Sequence, residues 1–168
     1  MGIWTSAEHR GEQVDAYYLS FLHRASDATG RAYWVSQFVT GGLNEVGVTL
    51  AFVTSTEYVT DHSGSYVAAL YADILGRAAD SAGLTFYQNL LANGATMNQI
   101  ADSIIFSTES ELLAVDSYYL AFLQRTADSA GQTFWQQSIQ GGQSSYGSTA
   151  YSFLASLEYF SNAGASLG

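Results

Sequence analysis

The chain contains no cysteine and no lysine. Without cysteine there is no disulfide, no thiolate metal site and no thiol nucleophile. Without lysine, positive charge rests on Arg10, Arg24, Arg31, Arg77 and Arg125, and the formal charge is −10. A nucleic-acid binder needs a basic patch to displace counterions, and this composition cannot supply one. An anionic membrane surface repels such a chain for the same reason. No apolar run approaches the roughly 18 residues of a membrane span, so no membrane insertion is expected. No basic start followed by an apolar stretch and a small-residue cleavage site is read at the N-terminus. Phosphate loops, dinucleotide fingerprints and Gly-x-Ser-x-Gly elbows are missing as well. His9, His23 and His62 share no ligand spacing, and no EF-hand loop occurs, so neither metal nor cofactor is expected.

What the chain does have is repetition. Leu22-His23-Arg24-Ala25-Ser26-Asp27-Ala28-Thr29-Gly30 returns as Leu75-Gly76-Arg77-Ala78-Ala79-Asp80-Ser81-Ala82-Gly83 and as Leu123-Gln124-Arg125-Thr126-Ala127-Asp128-Ser129-Ala130-Gly131. The shared core is Leu-x-Arg-x-x-Asp-x-x-Gly, with an aromatic four residues on at Trp34, Tyr87 and Trp135. Self-similarity at a near-fixed period sets architecture before any local reading does.

Each copy reads as three helices. Val14, Tyr17, Tyr18, Phe21 and Leu22 fall at the spacing of one helix face, as do Val67, Leu70, Tyr71, Ile74 and Leu75, and Val115, Tyr118, Tyr119, Phe122 and Leu123. The arginine then meets the negative end of that helix. Three residues on, the aspartate caps the next helix. The glycine near its third position lets the preceding helix approach closely. The second helix is expected to bury Tyr33, Trp34 and Phe38; then Phe86, Tyr87, Leu90 and Leu91; then Phe134, Trp135 and Ile139. Glycines stop it at Gly41-Gly42, Asn93-Gly94 and Gly141-Gly142. A third helix starts near Asn44, Thr96 or Ser144 and is expected to end on Ser-x-Glu, with glutamates Glu57, Glu109 and Glu158. The predicted fold is therefore all-α: three tandem three-helix units, about nine helices, packed as a short array or a fused globule. The units are placed at 14–60, 66–112 and 115–162, joined between the first two by the loop-like Thr60–Ser65. Ser6-Ala7-Glu8 echoes Ser107-Thr108-Glu109, so residues 1–13 read as the tail or cap of a preceding unit, and the chain either as a piece of a longer array or as a stack capped by an N-terminal helix.

With these residues in hand, the chain resembles the bacterial DUF4214 family. Tyr71, Leu75, Gly76, Arg77, Asp80, Gly83 and Tyr87 carry the resemblance, and Ser55, Glu57 and Tyr58 match the family's close. It covers almost the whole chain as three copies. The proline often found before the aspartate is Ser26, Ala79 or Ala127 here, and only copy two keeps glycine before its arginine, changes that loosen the turn slightly. The resemblance implies a module of large secreted bacterial proteins, including surface-layer-like and adhesin-like chains, with no assigned activity. The Arg-x-x-Asp-x-x-Gly segment is also similar, more weakly, to phycobilisome linker domains, which are helical assembly elements.

The repeated charges read best as a structural clasp: Arg24, Asp27 and Gly30; Arg77, Asp80 and Gly83; Arg125, Asp128 and Gly131; with Glu57, Glu109 and Glu158 as further partners. An active site is usually built once, so residues repeated in every copy argue for architecture, and no catalytic residue is assigned. The aromatics expected to be exposed lie off the apolar stripes, at Trp4, Tyr66, Tyr146 and Tyr159. The expected function is a non-catalytic interaction or assembly module of an extracellular or cell-surface bacterial protein, acting through protein partners or self-assembly. The alternative is a carbohydrate-binding module using exposed aromatics.

Overall fold

The computed structural model describes residues 7–140, with side chains to 138. These residues are all helical apart from turns, and the chain divides into two compact units between Ile105 and Phe106. The first unit holds α1 (Ala7–Leu22), α2 (Ala28–Val39), α3 (Glu45–Val53), α4 (Thr56–Asp61), α5 (Tyr66–Leu75), α6 (Ser81–Ala92) and α7 (Met97–Ile105). In the second, α8 (Thr108–Tyr118) runs into a π-helical turn (Tyr119–Leu123), followed by α9 (Ser129–Gln140). The protein is all-α and made of three tandem units.

The first two copies share one core. α1 packs on α2 and α3, α5 packs on α6 and α7, and the two third helices, α3 and α7, pack on each other. Val48, Phe52, Ile100 and Ile104 from those two helices are almost fully buried. Phe52 is the hub of the first half. Its ring lies 5.0 Å from Trp34, 5.1 Å from Tyr18 and 5.6 Å from Tyr17. Aromatic groups at these separations contribute beyond the area they bury. Arg10 ties α1 to α3 by pairing with Glu45 at 2.5 Å while lying over the Phe38 ring. The second unit has a smaller core of Val115, Tyr119 and Leu123, with Trp135 packed against it.

Helix ends follow local chemistry. Asn44 caps α3 by accepting from the Gly47 N–H at 2.9 Å. Thr96 and Gln99 bond each other's backbone N–H groups, a reciprocal cap at the start of α7. Gly41 and Gly94 take the left-handed conformation that ends a helix.

Two expectations change. α1 is continuous from Ala7 to Leu22, so residues 7–13 belong to the first helix of copy one and not to a tail of an earlier unit. The third helices end at Val53 and Ile105, and Ser-x-Glu starts the next helix: Ser55 caps α4 and Ser107 caps α8. The hydroxyl accepts from an N–H three residues on, and the glutamate faces the positive helix end. A serine followed by an acid is chemically a helix start, which outweighs the apolar stripe running up to it.

The residue before each arginine sits at positive φ: His23 at 51°, Gly76 at 65° and Gln124 at 54°. Copy two meets this with glycine, while copies one and three hold a side chain there at a cost of about 1 kcal/mol. Gln124→Gly is therefore expected to raise the midpoint of urea unfolding, whereas Gly76→Gln lowers it.

Candidate functional site

The repeated motif is a corner between two helices. At its base are Tyr18, Tyr71 and Tyr119, all buried on the first helix of their copy. Their hydroxyls lie where Gly30, Gly83 and Gly131 lack a side chain, and a Cβ on any of these glycines would collide with the phenol oxygen. Over each tyrosine ring lies a guanidinium, with Arg24, Arg77 and Arg125 centred 4.8, 4.9 and 4.8 Å from the ring centroids. Each arginine donates to the carbonyl of the next residue, at Ala25, Ala78 or Thr126. Each also stands 3.6–3.8 Å from the carboxylate of Asp27, Asp80 or Asp128. That carboxylate accepts from the N–H of Gly30, Gly83 or Gly131 at 2.7–2.9 Å. These N–H bonds, ahead of the arginine, hold the Asp27 and Asp80 carboxyls below their ordinary values.

In copy one the clasp reaches a third helix. Arg24 grips Glu57 of α4 with two parallel bonds, Nε to Oε1 at 2.5 Å and Nη2 to Oε2 at 2.8 Å. The paired guanidinium holds the Glu57 carboxyl down, and Glu57 holds the Arg24 guanidinium up. Glu109 occupies the equivalent place in the first turn of α8, and Glu158 lies outside the described residues.

A family model described as a domain of unknown function (DUF4214) matches residues 5–62, 59–114 and 114–163. The chain belongs to the DUF4214 family. No curated protein and no solved structure matches it.

The three DUF4214 copies differ in a second brace beside the corner. In copy one Arg31 pairs with Asp15 at 3.0 Å and its guanidinium occupies the space over Gly11. Ser26 donates to the same carboxylate, and these bonds, the serine's first, hold Asp15 below its ordinary value. Copy three keeps the brace in neutral form, with Gln132 Nε2 donating to Asp116 at 2.9 Å. Copy two has Ala68 and Leu84 at these positions, and nothing approaches Gly64. A cavity of about 430 Å³ opens there, lined by Ser63, Tyr66, Leu84, Gln88 and Met97 among others.

The exposed aromatics are not those the sequence pointed to. Tyr66 is 4% exposed, with its ring edge-on to Tyr58 and its hydroxyl donating to the Met97 carbonyl at 3.3 Å. Burial pushes its phenol up to about 12. The His62–Ser65 turn folds α5 back onto α4, which tucks this first-turn residue inward. Trp4, Tyr146 and Tyr159 lie outside the described residues. Tyr33, Phe86 and Phe134, expected in the core, are instead 54%, 56% and 62% exposed, and Leu90 is exposed as well. Adjacent helical residues point about 100° apart, so only one ring of each pair packs inward, and Trp34, Tyr87 and Trp135 take that place. The tyrosine under each arginine was hidden within the apolar stripe. Its signal was identity, because that slot is tyrosine in every copy.

Among the described residues, no group of three or more His, Asp or Glu is placed to hold a metal ion, and no helix is long and apolar enough to cross a membrane.

The corner contact is testable by a double-mutant cycle. Gly30→Ala is expected to cost about 1–3 kcal/mol through overpacking, and Tyr18→Phe in the same chain should recover much of it by removing the opposing oxygen. Equal losses in both backgrounds, measured by urea unfolding, would show that the hydroxyl does not set the limit. The Arg24–Glu57 pair gives a pH test. A carboxyl whose folded pKa is depressed stabilises fully above its ordinary value of 4.5 and loses that contribution as pH falls through the lower folded value. Arg24→Gln should therefore lower stability at pH 7 by about 0.5–1 kcal/mol, as befits a half-exposed pair, and lose less than the parent chain on acidification.

Proposed function

We propose that this DUF4214 protein is a non-catalytic interaction module of a secreted or cell-surface bacterial protein, attaching through protein contacts or to further copies of itself. One observation carries the reading. The charged residues that recur in every copy are spent on helix ends and ion pairs, which is the use expected of a scaffold. Catalysis needs titratable groups converging on a substrate-sized space, and the residues around the cavity are uncharged. The acidic, cysteine-free and lysine-free composition supports a place outside the cell.

A second reading, carbohydrate binding, gains from the exposure of Tyr33, Phe86 and Phe134 at one repeated position.

Light scattering over a concentration series tests self-attachment. Growth in mass with concentration is expected, and a chain that stays monomeric at the highest concentration would remove self-assembly. Turnover of a substrate, lost on one carboxylate substitution, would overturn the non-catalytic reading altogether.

A further inference from the structure

We infer that Tyr33, Phe86 and Phe134 are stacking platforms for a neutral polysaccharide, one in each repeat. The inference deepens the carbohydrate reading and rests on it. All three rings stand three residues after the corner glycine and are more than half exposed. Single exposed apolar side chains are ordinary on protein surfaces. The same one in every copy, beside positions that have changed from copy to copy, calls for a use other than packing.

Each ring is held alike. Tyr33 meets Trp34 at 5.0 Å and 74°, Phe86 meets Tyr87 at 5.0 Å and 79°, and Phe134 meets Trp135 at 5.1 Å and 79°. The inner ring is half-buried against the core, so the outer ring is braced before any ligand arrives. A braced ring loses little side-chain freedom on binding, which favours weak, face-on contacts.

The surroundings select the occupant. On the same helix, one turn further on, stand Ser36, Asn89 and Gln137, all exposed and uncharged. One residue before each ring are Ala32, Thr85 and Thr133, also exposed. Copy two adds one apolar neighbour, Leu90. A protein partner would be better met by a contiguous apolar patch of several hundred Å², whereas each ring here is a small apolar island edged by hydroxyls and amides. A pyranose offers the matching shape, a C–H face about the size of one ring with hydroxyls around its rim. A charge of −10 without lysine disfavours anionic sugars, and Arg24, Arg77 and Arg125 are already engaged in their corners. A polymer can engage more than one such platform at a time, which a monosaccharide cannot, and linked sites gain from effective concentration.

Native affinity electrophoresis of the full chain tests this, in gels containing barley β-glucan, mannan, dextran or hydroxyethyl cellulose, with alginate as the anionic control. Retardation is expected in at least one neutral gel and not in alginate. The triple variant Tyr33→Ser, Phe86→Ser, Phe134→Ser should run free with an unchanged circular-dichroism spectrum, each single variant should lose part of the retardation, and Phe86→Tyr with Phe134→Tyr should keep it. A parent chain that runs free in every neutral gel, or a triple variant still retarded, would overturn the inference. If the parent ignores every polysaccharide while the triple variant loses concentration-dependent association, the rings are a protein contact. In that case the glycan assignment falls and the attachment reading stands.

Discussion

Each repeat turns on one contact, a tyrosine hydroxyl set against a glycine that has no Cβ. The phenol of Tyr18, Tyr71 or Tyr119 spans from its own helix to the first turn of the next, and its length fixes how closely the two can lie. The remaining parts of the corner depend on that separation. The arginine reaches the tyrosine ring and the next carbonyl together because the chain reverses just above the phenol. The aspartate caps the second helix within reach of the same arginine. A steric contact thus sets the geometry, and charged groups of modest individual strength hold it.

Beyond the corner the copies are free to differ, and the second brace shows how far. An ion pair in copy one becomes an amide–carboxylate bond in copy three and a pair of apolar residues in copy two. The last exchange removes two side chains that reach across the helix pair, and the fold leaves a cavity there instead of closing. A corner held by tyrosine, arginine and aspartate tolerates the loss of its neighbour.

The all-α class, the three tandem units and the second-helix caps were legible in the sequence, because periodicity and capping are local properties. Asp27, Asp80 and Asp128 each reach the glycine N–H that their spacing predicts. What was not legible depended on direction. Two adjacent aromatics on one helix look alike in sequence, and the choice of Trp34 over Tyr33 belongs to the core that receives it, where its ring meets Phe52 of α3. Tyr66 was misjudged for the opposite reason: it precedes an apolar stripe, yet the turn ahead of it rotates it inward. Ser-x-Glu was misplaced because an apolar stripe continues up to it, although a capping serine can only begin a helix.

Because α3 and α7 bury their faces against each other, the length that is inherited and the length that folds are not the same. The motif returns after 53 and then 48 residues, from Arg24 to Arg77 to Arg125, while the first compact body needs two of these periods to close. Loss of one of these two periods uncovers the face of α3 or of α7 that the other helix covers. Recombination within such an array is therefore tolerated unevenly along its length. A crossover between Ile105 and Phe106 separates bodies that each keep their own core, while one at the His62–Ser65 turn cuts a core in half, although the turn is the more obvious joint in the sequence.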